Sequence, residues 1–147
     1  HNIPVWDIVI NREMNTNQEL NYLEIGAYEG RSAVHICEQF RLFKITVVDP
    51  YIEYKELDKY VEKQNMELTF SILKKNLIKF KDRTEIFRLT SNKFFEENKK
   101  EFDIIYIDGS HSYEDVLTDA KNSSKCLNLN GIIIFDDYEW RGCLASS

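Results

Sequence analysis

Residues 21–32 read Asn-Tyr-Leu-Glu-Ile-Gly-Ala-Tyr-Glu-Gly-Arg-Ser and combine a short apolar run, two glycines and the start of a helical pattern. Asn21–Ile25 is a short apolar run typical of a β-strand, and the apolar spacing over Arg31–Phe40 predicts a helix. Gly26 lets the chain turn sharply off the strand, and Gly30 lets a ligand approach the backbone where the helix starts. The stretch therefore predicts a strand, a glycine-bearing loop and a helix.

The rest of the chain repeats this alternation of short apolar runs and longer helical patterns. Further strands are predicted at Lys44–Val48, Thr84–Leu89, Phe102–Ile107 and Gly131–Phe135, and further helices at Met66–Phe80, Asn92–Lys100 and Tyr113–Leu127. Continuous apolar strands separated by helices indicate a parallel sheet that is covered on both faces. We therefore expect an α/β fold with a doubly wound parallel sheet, forming a single domain over residues 1–147.

Composition and charge restrict the kinds of partner that the chain is expected to bind. Of the 147 residues, 43% are hydrophobic and 30% charged, which is typical of a globular chain, and no apolar run approaches the roughly 20 residues of a membrane span. The net charge of −6 argues against a nucleic-acid surface. Cys37, Cys126 and Cys143 form no Cys-x-x-Cys pair, and His1–Ile10 lacks a signal-peptide pattern. We expect a cytoplasmic protein that binds a small molecule and neither nucleic acid nor a membrane. The sequence leaves open whether it forms a homo-oligomer.

Polar residues follow each predicted strand. They are Glu24–Gly26, Asp49, Thr90–Ser91, Asp108 and Asp136–Asp137, so that four of five strand ends carry a carboxylate. Ligands of parallel α/β sheets bind at the carboxyl ends of the strands, which makes this edge the candidate site. Polar residues could also simply begin loops there. Several carboxylates at one crevice repel each other, however, so we expect a positively charged ligand between them.

The pattern Glu24-x-Gly26-x-x-x-Gly30 differs from the Gly-x-Gly-x-x-Gly of dinucleotide oxidoreductases. Together with Asp49 after the second predicted strand, it resembles the first two motifs of class I S-adenosylmethionine-dependent methyltransferases, which have a Rossmann-like fold. The resemblance implies that the loop, including Ala27, passes the methionine part of S-adenosylmethionine and that Asp49 takes the ribose hydroxyls. A carboxylate suits a vicinal diol because it accepts two hydrogen bonds at once. Alternatively, Asp49 is only a turn residue that ends its strand.

A second pattern lies further along the chain. Asp108-Gly-Ser-His111-Ser-Tyr113 is followed by Asp136-Asp137, and the first two acids are 28 residues apart (136 − 108), one helix and one strand. Oxygen donors without cysteine suit a hard cation such as Mg²⁺. The arrangement resembles the metal-dependent O-methyltransferases and, through its final Asp-Asp, the macrocin and macrolide-sugar O-methyltransferase group.

This second resemblance implies roles for individual residues. Asp108, Asp136 and Asp137 would hold Mg²⁺, and His111 would be the general base. Each role has an alternative. His111 could cap the next helix or lie in solvent, and Asp137 could support Asp136 through a hydrogen bond rather than bind metal.

Two further residues, Ser112 and Ser91, have candidate roles, and Asp108 has a second one. Ser112 could be the N-cap of the helix from Tyr113. Ser91, which the resemblance places near the adenine, and Asp108 complete the predicted cofactor-binding set.

We therefore expect an S-adenosylmethionine-dependent, Mg²⁺-assisted O-methyltransferase acting on a hydroxylated small molecule, with a sugar as the favoured class. A truncated, non-catalytic cofactor-binding or interaction module is the main alternative, and a nicotinamide enzyme is a third. The resemblance covers Asn21–Trp140. Arg141–Ser147 is too short for the further helix and antiparallel strand pair of such enzymes, so the C-terminal strands are expected to be truncated.

Overall fold

The computed structural model describes residues 3–52, 65–110 and 112–136. The strands are β1 (Asn21–Ile25), β2 (Lys44–Val48), β3 (Thr84–Phe87), β4 (Phe102–Ile107) and β5 (Leu127–Phe135). The helices are α1 (Ile3–Glu13), α2 (Arg31–Gln39), α3 (Met66–Leu77), α4 (Ser91–Glu97) and α5 (Tyr113–Lys125). All strand pairs are parallel, in the order β3-β2-β1-β4-β5. The predicted Rossmann-like α/β fold is confirmed.

The strand order reverses between β1 and β4, which makes this the switch point where ligands of open α/β sheets bind. Ile25 lies in register with Val48 of β2 and Ile107 of β4. Backbone hydrogen bonds continue one residue further: the Gly26 N–H donates to Val48 at 2.9 Å, and the Asp108 N–H donates to Ile25 at 2.8 Å. The residues after β1, β2 and β4 therefore begin at one level beside the switch point.

Both faces of the sheet are covered, because successive side chains of each strand point to opposite sides. One buried cluster gathers Tyr22 with residues of the first three helices, among them Trp6, Ile36 and Leu73. The other gathers Leu23 and Ile25 with Phe94 of α4 and Phe102 and Ile105 of β4. The continuous apolar runs of β1 and β4 are explained by this burial on two sides.

Helix α1 lies over the face that carries Tyr22, in a segment for which no helix is predicted from the sequence. Its Trp6 ring contacts the ring of Tyr106, with centroids 4.2 Å apart. The Nε2 atom of His35 lies 2.8 Å from Asp7 Oδ1 and joins α2 to α1. Within the described ranges, no helix is long and apolar enough to cross a membrane.

Several predicted boundaries differ from the structure. The final strand begins at Leu127 rather than Gly131, so the helix before it ends earlier, at Lys125. The predicted helix over Met66–Phe80 ends as a 3₁₀ turn from Ile78, and α4 ends three residues earlier than predicted. Strand β3 stops at Phe87, two residues before its predicted end. None of these shifts moves the carboxyl ends of β1, β2, β4 or β5.

Candidate active site

The glycine loop after β1 lies against the chain that leaves β4. Gly26 has φ +87°, and a Cβ atom there would overlap the carbonyl of Asp108 and the Cα of Gly109. Gly30 has φ +79°, and its missing Cβ would lie 2.5 Å from Leu73 Cδ1 of α3. Backbone crowding therefore requires glycine at position 26, and the left-handed backbone favours glycine at position 30. Ligand approach at Gly30 stays a prediction.

Asp49 lies at the end of β2 and is held by the backbone of two loops. Its Oδ2 accepts the N–H of Tyr28 at 3.0 Å, and its Oδ1 accepts the N–H of Tyr51 at 2.9 Å. Burial raises the pKa of Asp49, and these hydrogen bonds act in the opposite direction. A carboxylate has about four acceptor sites, so further lone pairs remain for a ligand.

Glu24 is completely buried within β1, below the edge where Asp49 and Asp108 begin. The Ser32 hydroxyl donates to its Oε1, and the Tyr22 hydroxyl lies 3.4 Å from its Oε2. Burial raises the pKa of Glu24 from 4.5 to about 8, and the charges of Asp108 and Asp49 add to the increase. At neutral pH this side chain is mostly protonated. A cation placed beside it would favour the ionised form.

Asp108 and Asp136 follow β4 and β5, which are neighbours in the sheet. The Tyr106 hydroxyl donates to Asp108 Oδ2 at 2.9 Å, and the Asp136 N–H donates to the Ile107 carbonyl at 3.2 Å. Asp136 Oδ1 is buried and has no hydrogen-bond partner among the described residues. A buried carboxylate oxygen in this state is costly, and a bound cation would satisfy it.

This orphaned oxygen and the all-oxygen donor set fit Mg²⁺. The described ranges nevertheless contain no group of three or more potential metal ligands. Asp137 of the predicted metal set and His111, the predicted general base, lie outside the described residues. The other two predicted metal ligands, Asp108 and Asp136, follow the neighbouring strands β4 and β5.

Ser91 is the first residue of α4, next to the N-cap Thr90. Its hydroxyl donates to the carboxylate of Asp119, a buried residue of α5. The Ser91 side chain is thus engaged with the neighbouring helix, and its predicted place near an adenine stays a prediction.

Sequence reasoning missed the tyrosines that hold the site acids. Tyr22 and Tyr106 each precede an acid by two residues on a strand, which places the hydroxyl and the carboxylate on the same face. Tyr-x-Glu and Tyr-x-Asp at strand ends could have signalled these pairs. Tyr51 gave no such signal, because its contacts depend on the path of two loops.

The sequence of this chain matches a family described as "Methyltransferase domain" over residues 23–138. The match covers most of the chain, which therefore belongs to this methyltransferase-domain family. An uncharacterized protein of Acanthamoeba polyphaga mimivirus is 28% identical over 129 residues, which are 82% of this chain and 52% of that protein.

Solved structures show the same fold. A proposed caffeoyl-CoA O-methyltransferase from Staphylococcus aureus superposes with a TM-score of 0.66 at 20% identity, covering 91% of this chain and 56% of that one. A SAM-dependent methyltransferase from Agrobacterium tumefaciens gives 0.68 at 14% identity, covering 95% and 45%. A methyltransferase from Podospora anserina, solved with S-adenosylhomocysteine (SAH) bound, gives 0.57 at 23%, covering 79% and 45%. The chain spans about half the length of the relatives it matches.

Proposed function

We propose that this chain binds S-adenosylmethionine and acts as an O-methyltransferase domain. The observation that carries the proposal is Asp49, fixed by two backbone N–H groups at the switch point beside a tight glycine loop. Membership of the methyltransferase-domain family supports it, as does the SAH-bound Podospora neighbour.

S-adenosylmethionine supplies an electrophilic methyl group on a sulfonium centre. Asp49 accepts the ribose hydroxyls with the lone pairs that its backbone contacts leave over. The loop from Glu24 through Ala27 to Gly30 holds the methionine part. Glu24 lies at the start of this loop, and the positive charge of a bound ligand would favour its ionised form.

A divalent cation completes the proposed site, held by Asp108 and Asp136, with Asp137 as the further ligand that the resemblance implies. The orphaned Asp136 Oδ1 supports this assignment. When bound, such a cation lowers the pKa of a coordinated hydroxyl. His111 would accept the hydroxyl proton as the general base.

The acceptor that we propose is a hydroxylated small molecule. The final Asp-Asp favours the sugar-modifying group, whereas the Staphylococcus aureus neighbour is named for a caffeoyl-CoA acceptor. The second candidate function is a module that binds S-adenosylmethionine without turnover.

Calorimetric titration of the 147-residue chain with SAH tests the cofactor assignment. Asp49→Ala should weaken binding about 10- to 100-fold, because a hydrogen bond to a charged group contributes roughly 1.5–3 kcal/mol. His111→Ala should bind SAH like the parent but transfer methyl groups to catechol or sugar acceptors about 10²- to 10⁴-fold more slowly.

Asp82→Ala is the matched control, because Asp82 is an exposed acid in the turn before β3, at the opposite end of the sheet. Failure of the parent chain to bind SAH would overturn the proposal. Tight SAH binding without transfer to any hydroxylated acceptor would favour the non-catalytic module.

A further inference from the structure

Three hydrogen bonds form a closed ring between the end of β2 and the glycine loop. The N–H groups of Tyr28 and Tyr51 donate to the two carboxylate oxygens of Asp49 at 3.0 and 2.9 Å. The Tyr51 hydroxyl then donates to the Tyr28 carbonyl at 2.7 Å. Each of the three residues thus contacts the other two.

Both tyrosines in this ring have an unfavourable backbone. Tyr28 and Tyr51 each have φ +49°, in the left-handed region that side chains with a Cβ seldom adopt. Such conformations persist only where the surrounding contacts determine them, and they concentrate at ligand sites. The ring supplies contacts of that kind to both residues.

The two tyrosines are held very differently. Tyr51 is buried, and its ring packs 4.8 Å from the ring of Phe70 on α3. Tyr28 is 48% exposed, so side-chain packing holds it only weakly. Tyr51 is fixed by its packing against α3, and its hydroxyl therefore fixes the Tyr28 peptide. That peptide in turn fixes Asp49 through its N–H group.

We propose that Tyr51 is a positioning residue that makes the site selective for two adjacent ribose hydroxyls. Its hydroxyl fixes the rotation of the Asp49 carboxylate, and this directs the remaining lone pairs toward both hydroxyls of a diol at once. The inference rests on the proposed function, in which Asp49 accepts the cofactor ribose.

Tyr51→Phe tests this inference, because it keeps the ring beside Phe70 and removes only the hydroxyl. Dissociation constants are measured by calorimetry for SAH and for its 2′-deoxy analogue. The parent should prefer SAH about tenfold or more, as expected for a hydrogen bond to a carboxylate. In Tyr51→Phe this preference should fall at least threefold, mainly through weaker SAH binding.

Thr84→Val is the matched control, because it removes a hydroxyl that donates to the Phe80 carbonyl at 3.0 Å, at the far end of β3. Its preference for SAH should equal that of the parent. If Tyr51→Phe does not fold, Phe70→Leu removes the ring against which Tyr51 packs and should lower the preference in the same way.

The inference is overturned if the variant that folds prefers SAH to the 2′-deoxy analogue as strongly as the parent does. It is also overturned if the parent binds SAH and the analogue equally well. In both cases the proposed function survives. A parent that does not bind SAH at all contradicts the proposed function itself, so the two failures are distinguishable.

Discussion

At the scale of single residues, the buried carboxyl group of Glu24 links the stability of the fold to pH. The side chain is completely buried, and burial raises its pKa from 4.5 to about 8. The folded chain therefore binds a proton that the unfolded chain releases. The stabilisation by this proton is fully present below pH 4.5 and is lost as the pH rises through 8.

Glu24→Gln should remove this pH dependence, because glutamine resembles the protonated acid. Between pH 5 and pH 9, the parent should lose free energy of unfolding relative to the variant, by at most about 5 kcal/mol. Urea unfolding at several pH values measures the difference. The control Glu101→Gln, at an exposed position, should show the same pH dependence of the free energy of unfolding as the parent. If the parent and Glu24→Gln show the same pH dependence, Glu24 is not protonated in the folded chain.

Individual site residues were predictable where an acid or a glycine stands directly after a predicted strand. Gly26, Asp49 and Asp108 were identified this way, and the structure places all three at one edge. The residues that hold them were not predictable. The Tyr51 hydroxyl reaches Tyr28 across 23 residues of sequence, and no local pattern encodes such a contact.

At the scale of elements, the junction between α5 and β5 shows where periodicity misleads. Asn130 has φ +65°, and the pairing of β4 with β5 shifts register between Phe102 and Ile104. Such an irregularity breaks the alternation that identifies a strand. Only the apolar second half of β5, from Gly131, was therefore predicted. The buried strands β1, β2 and β4 have no such break and were predicted with the observed bounds.

The N-terminus of α5 follows the site closely in sequence, because its N-cap Ser112 comes four residues after Asp108. The Ser112 Oγ accepts the N–H of Asp115 at 3.2 Å, which establishes Ser112 as the N-cap. Ser112→Ala should lower the free energy of unfolding by about 1 kcal/mol, because the N–H loses its partner.

Urea unfolding at neutral pH measures this loss. Ser124→Ala, at an exposed position of the same helix, serves as the control and should change stability by less than about 0.5 kcal/mol. Equal stability of Ser112→Ala and the parent would show that the cap contributes nothing.

At the scale of the whole molecule, cation binding should stabilise the fold. A ligand at 100 times its dissociation constant contributes about 2.7 kcal/mol. For a chain of this length, that corresponds to a rise in Tm of roughly 5–10 °C. We therefore expect Mg²⁺ to raise the Tm at neutral pH and EDTA to reverse the rise.

Asp136→Asn should abolish most of this rise, because it removes a carboxylate charge at the proposed site. The variant should also melt at or above the Tm of the metal-free parent, since it removes a repulsion with Asp108. Asp82→Asn should respond to Mg²⁺ like the parent. If neither Mg²⁺ nor EDTA changes the Tm of the parent, the metal assignment is wrong.

The position of β1 at the centre of the sheet also bears on how the molecule assembles during synthesis. The Asn21 N–H donates to Asp103 Oδ2 at 2.7 Å, a contact that joins residues 82 positions apart. β1, β2 and β3 follow one another closely and can pair early, whereas β4 reaches β1 only after this long loop closes, and such closures slow folding. In a nascent chain, the glycine loop and Asp49 therefore reach their folded positions before Asp108 does. Asp136 follows β5, so the proposed cation site is complete only after both β4 and β5 have added to the sheet.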